Sequence, residues 1–131
     1  MDVTSFVGSH VDHYATSLGI SNGQPVAVGG VSKETEMFSN GTWVRMTSIP
    51  VTSQSYYQLY STVTLDDVMY TFGGKGTQND AFMFFGKTWP GEWRATSPML
   101  SGRSGHRSVI QGNRIVHVGG YPIETVIPLK E

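Results

Sequence analysis

Three Gly-Gly pairs, Gly29-Gly30, Gly73-Gly74 and Gly119-Gly120, each close a short apolar run, and their first members are 44 and 46 residues apart. A recurrence of that length marks a repeat array. Counting back from each pair without gaps sets residues 25–28 beside 69–72 and 115–118, three strand-like runs. Immediately before them the same count aligns Asn22-Gly23, Asp66-Asp67 and Gly112-Asn113. These residue types tolerate positive φ and close two-residue hairpins. A preceding strand is therefore expected at residues 14–20, 58–65 and 105–111.

After the glycines, residues 35–38 and 80–85 suit a third strand, and Ser39-Asn40-Gly41 and Gly86-Lys87 turn the chain back. The fourth strand opens with Trp43 in one unit and Trp93 in the next, each followed by a polar stretch and a Pro beside an apolar residue. The second unit carries a longer turn with Trp89, Pro90 and Gly91. Asn40-Gly41-Thr42 fits a glycosylation sequon, but Asn-Gly is also what a tight hairpin requires, and the turn is the preferred reading.

Apolar strand, diglycine, apolar strand, hairpin, Trp, Pro and an Arg/His-bearing segment (Arg103-Ser104-Gly105-His106) together resemble the kelch repeat. The resemblance implies an all-β chain of four-stranded antiparallel propeller blades, about three blades' worth, forming an open arc unless another chain completes it. A first blade is expected at 13–50, a second at 57–99 and a third, incomplete one at 103–129, with residues 1–6 in a leading fourth-strand position. Pro25 and Ala27 in its second strand make the first blade the weaker match.

Such an arc leaves an apolar blade face bare at each end. A patch of roughly 400 Å², at about 25 cal/mol/Å², stands for on the order of 10 kcal/mol of unrealised burial. The expected partners are thus a second copy of the chain, two arcs making a six-bladed ring, or the remaining blades of a longer propeller.

Composition is consistent with many short strands: 131 residues, 38% hydrophobic and 15% charged, with 16 Gly and 6 Pro. A formal net charge of −1 and the lack of basic runs argue against nucleic acid as a partner. No apolar stretch reaches bilayer length, so no membrane partner is expected, and residues 1–6 do not read as a signal peptide. There is no Cys, which removes disulfides, a thiolate nucleophile and the Cys-linked Tyr of copper radical oxidases, and permits a reducing compartment.

No cofactor or metal is expected. His10 and His13 have ligand-like spacing but read as solvated loop residues, and His106 and His117 as packed ones. Ser104 and Ser108 flank His106 without an orienting acid, so hydrolysis carries little weight. Residues that differ among the aligned repeats are the candidate contacts: His13 and Tyr14, Tyr57 and Gln58, Arg103 and Ser104 at the lead-in to each first strand, and Lys75 and Tyr121 after the diglycines. By resemblance to peptide-binding kelch propellers both sets open on one rim of the channel. Arg103 would fork onto a carboxylate of an acidic peptide or protein, and Tyr57 or Tyr121 would supply stiff contact area. Trp89, on the inserted loop, is a further contact. Strand alternation in Tyr56-Tyr57-Gln58-Leu59-Tyr60 would set Tyr57 and Leu59 opposite the other three. The function expected is a non-catalytic interaction module. The alternative is a carbohydrate-active or small-molecule propeller with its site in the central channel.

Overall fold

Left-handed backbone at the turns sets the architecture. Asn22-Gly23, Asn40-Gly41 and Asp66-Asp67 have positive φ at both central residues, between 51° and 79°, the geometry that matches the twist of the flanking strands. At Gly112-Asn113 only the glycine is left-handed, at 63°. The computed structural model describes residues 8–11, 13, 18–51, 55–76, 79–99, 102–120 and 127–129, and they contain no helix. The leading segment 1–6, Tyr14 and Tyr121 lie outside the described residues.

The first sheet runs in chain order through β1 (Leu18–Ser21), β2 (Gln24–Val28), β3 (Thr35–Ser39) and β4 (Thr42–Met46). A second repeats it with β5 (Ser61–Leu65), β6 (Val68–Phe72), β7 (Ala81–Phe85) and β8 (Glu92–Ala95). The third has β9 (Arg107–Gln111), β10 (Arg114–Val118) and β11 (Ile127–Leu129). All neighbouring pairs are antiparallel. The sheets stand side by side as an open, all-β arc of blades, with β1 against β5 and β6, and β5 against β9.

Two strands begin later than the sequence predicts, and the backbone shows why. Leu59 has φ +63° and Gly105 +67°, so the chain is turning there and pairing starts only at Ser61 and Arg107. The same bend overturns the expected alternation around Tyr57. Tyr57 and Tyr60 are both buried and stack at 4.3 Å between ring centroids, while Leu59 points to solvent.

The second blade buries apolar side chains on both faces. Met69, Phe84 and Trp93 are cross-strand partners and so share one face of the second blade. They meet Val26, Val28, Met37 and Met46 of the first in one core cluster. The other face carries Val63, Phe72 and Ala81, which meet Met99 and Ile115. Trp93 also donates from Nε1 to Thr47 O across the first seam, at 2.8 Å.

The diglycines let the seams close. Gly73 has φ +70°, and a Cβ there would lie 2.2 Å from Arg103 O. Gly74 N donates to that same carbonyl at 3.1 Å. One seam earlier, a Cβ on Gly29 would lie 2.4 Å from Tyr57 O, which accepts from Gly30 N at 2.8 Å. The first two diglycines thus serve as bare platforms for the lead-in backbone of the following blade.

Gly73→Ala is expected to cost more than about 2 kcal/mol, combining a left-handed alanine with a backbone overlap. Gly23→Asn, at φ +72° with nothing within 4 Å of its Cβ position, should cost far less. Urea midpoints of the two variants check this, and equal losses would contradict the platform role.

Candidate functional site

Antiparallel order decides which residues share an end of the arc. Strands β1, β5 and β9 start, and β2, β6 and β10 finish, at one end. That end collects His13, Tyr57, Gln58, Lys75, Arg103 and Ser104. Backbone bonds tie it together: Lys75 N to Gln58 O at 2.9 Å and Gly105 N to Leu59 O at 2.7 Å. Trp89 belongs to the opposite end, on the turn between β7 and β8.

Burial separates these candidates. Tyr57 is fully buried and its hydroxyl is held well above the ordinary tyrosine range by that burial, so it packs blades instead of offering contact area. Arg103 is 1% exposed, its Nη1 donating to Gly119 O at 3.2 Å, and it presents no fork to solvent. Ser104 is also buried. The lead-in backbone is clamped beneath the neighbouring diglycine, which pulls these side chains inward. Gln58 is half-buried and donates to Gly30 O at 3.2 Å. Lys75 is exposed, its ammonium 6.0 Å from the Tyr56 ring centroid. What reaches solvent at this end is Lys75, Arg107, Val31 and Leu59, with Gln58 and Tyr56 partly covered.

His13 is not a solvated loop residue. Its Nδ1 lies 2.7 Å from Gly29 O and its Nε2 2.8 Å from Glu36 Oε1; an imidazolium donates to both at once. Glu36 is fully buried and also accepts from His10 N at 2.9 Å and Val11 N at 3.2 Å. Burial by itself would raise its carboxyl; the His13 bond and the two backbone donors outweigh it and hold the group below its ordinary value. A Glu inside the apolar run of β3 was the sequence sign of this clasp.

Between the second and third blades lies a buried polar chain. His106 Nε2 and Ser61 Oγ are 2.7 Å apart, Ser61 Oγ bonds Ser108 Oγ, and Ser108 Oγ lies 2.5 Å from His117 Nδ1. Phe72 packs edge-on against His117, with ring centroids 4.5 Å apart. Burial, with the charges of His117, Arg103 and Arg107 beside it, pushes the His106 imidazole down to about 3; burial and Arg103 push His117 down to about 4. Both rings are therefore neutral at pH 7. No carboxylate among the described residues orients either Ser-His pair; Ser61 and both rings are buried and Ser108 is half-buried, so the array packs the seam. Among the described residues no three His, Asp or Glu gather as metal ligands, and no helix is long and apolar enough to cross a membrane.

At the far end, the inserted loop closes over the first blade. Trp89 Nε1 donates to Arg45 O at 2.9 Å, and Thr47 N donates to Pro90 O at 2.8 Å. The Trp89 ring remains 68% exposed beside a groove of about 410 Å³ lined also by Asn22, Gln24, Asn40 and Lys87.

Comparison with models of known protein families gives no match, and no curated protein matches the chain.

The depressed histidines fix a direction for pH dependence. The unfolded chain takes up protons near pH 6.5 while the folded one does not, so stability is complete above that pH. It falls as pH drops toward the folded values, at up to about 1.4 kcal/mol per pH unit for each histidine. By pH 5 the loss is roughly 2 kcal/mol per histidine, well before carboxylates titrate. Urea unfolding at pH 7.5 and 5.0 measures it, and His117→Asn should flatten the slope; a flat wild-type profile over this range would contradict the sealed, neutral pair.

Proposed function

We propose that this chain is a non-catalytic interaction module built of kelch repeats, whose outer blade faces are covered by further blades and whose lead-in end binds an acidic peptide or protein. The observation that carries the reading is the contrast between inner and outer faces. In β1, Gly19 and Ser21 face the second blade, while Leu18 and Ile20 alternate with them and are 62% and 49% exposed. In β9 and β10, Ser108 and His117 face the second blade, while Val109 and Val118 on the opposite side are 53% and 45% exposed. Apolar side chains thus stand in solvent where the inner seams bury theirs.

A second copy is the smallest addition that covers both faces, giving a two-fold ring of six blades. Lys75 then supplies the exposed cationic group at the lead-in end, with Arg107 at the margin of the β9 face that the second copy covers, and Leu59, a leucine held at φ +63° with its side chain outward, supplies apolar contact. An acidic segment with an apolar anchor suits that surface. The groove beside Trp89 favours a second reading, small-molecule binding, at the end away from this surface.

Light scattering at micromolar concentration is expected to return twice the chain mass, and Leu18→Glu with Val109→Glu to return a monomer. A monomeric wild type overturns self-assembly. For the rim, an array of acidic peptides should bind the wild type and lose affinity at least tenfold on Lys75→Glu with Arg107→Glu, about 1.4 kcal/mol or more; unchanged binding would remove the rim from consideration.

A further inference from the structure

His13, Tyr57 and Arg103 hold the same place in the three repeats, each 16 residues before the first glycine of its pair. The first and third make the same bond to that glycine: His13 Nδ1 to Gly29 O at 2.7 Å, Arg103 Nη1 to Gly119 O at 3.2 Å. In the first repeat the other side of the ring meets the buried carboxylate of Glu36. In the third, the guanidinium is as deeply buried, but its Nε and Nη2 have no partner among the described residues.

Those two nitrogens form the side-on edge of a guanidinium that matches both oxygens of a carboxylate. A buried cation without a counter-charge is strongly disfavoured, and Arg does not escape by losing its proton. His106 Nδ1 and His117 Nε2, at the two ends of the Ser61–Ser108 chain, are also buried without partners among the described residues. If each serine hydroxyl donates along the chain, one ring N–H at one end is left to donate, whichever way the chain runs. The permanent charge common to both rings is that of Arg103, and among the described residues no acid acts on either. This corner therefore holds a fixed positive charge and spare donors, which is the complement of a carboxylate.

We propose that Arg103 is the centre of a buried carboxylate-binding site in the seam between the second and third blades, where the ligand takes the part that Glu36 plays in the first repeat. The ligand is a small free carboxylic acid or an acidic side chain on another polypeptide. The site is separate from the exposed rim of Lys75 and Arg107, so either can fail without the other.

The experiment is thermal unfolding of the whole chain at fixed ionic strength, with chloride replaced stepwise by acetate, for the wild type and for Arg103→Met, Arg103→Lys and Glu124→Gln, Glu124 being the first acidic residue after the third diglycine and outside the described residues. A ligand that binds only the folded state raises Tm with its concentration. The wild type is expected to gain several degrees across the acetate series. Arg103→Met should not respond, and at low acetate should be no less stable than the wild type because the uncompensated charge has gone. Arg103→Lys, which keeps the charge without the fork, should respond weakly. If Arg103→Met does not fold, the change in the Arg103 Nε–H resonance on adding formate decides instead.

Where an acidic side chain of another copy is the ligand, Tm rises with protein concentration and acetate lowers it by competition. An equal acetate response in wild type and Arg103→Met overturns the proposal. So does a wild type indifferent to both acetate and protein concentration. A wild type indifferent to acetate but destabilised by Glu124→Gln assigns the counter-charge to this chain itself, which also overturns it.

Discussion

Backbone approaching backbone where a side chain would ordinarily stand is the contact on which the arc depends. The carbonyls of Tyr57 and Arg103 sit within 2.4 Å of where a Cβ would be on Gly29 and Gly73, and each accepts from the second glycine of its pair. That brings the lead-in of one blade onto the end of the previous one and sets the distance at which the sheets interdigitate. With a side chain at Gly29, Phe84 and Trp93 could not reach Val28 and Met46, and with one at Gly73, Phe72 could not reach Ile115, without distortion of the lead-in backbone.

The two seams use that spacing differently. The first is filled by methionines, aromatics and valines, with Tyr60 donating to Val28 O at 2.7 Å to satisfy a buried hydroxyl. The second combines Phe72 and Ile115 with a His-Ser-Ser-His chain and a buried arginine. An apolar seam is nearly indifferent to pH, whereas a seam of neutral imidazoles beside a guanidinium becomes less favourable once protons are added. Chemical sensitivity is therefore concentrated between the second and third blades, whereas the first clasp sets the His13 ring directly on a buried carboxylate, that of Glu36.

The candidate surface divides along the same line. Clamping the lead-in segments draws Tyr57, Arg103 and Ser104 into the seams and leaves Lys75 and Arg107 as the accessible cations. The left-handed Leu59 follows from this clamping too: its carbonyl is held by Gly105 N, and the bend that allows it turns the side chain outward.

The order of strands, the hairpin turns and the four-stranded units were written in the sequence, because alternation and Asn-Gly act through local backbone geometry that needs no distant partner, and the diglycines mark the period. Burial of Arg103 was not legible, nor was the pairing of His13 with Glu36, 23 residues away. Both follow from how neighbouring strands and blades meet, and a residue's own neighbours in the chain say nothing about which face another sheet will cover. Local steric preference determined the pieces; tertiary packing alone decided which polar groups would be taken out of water, since desolvation depends on what lies across the seam.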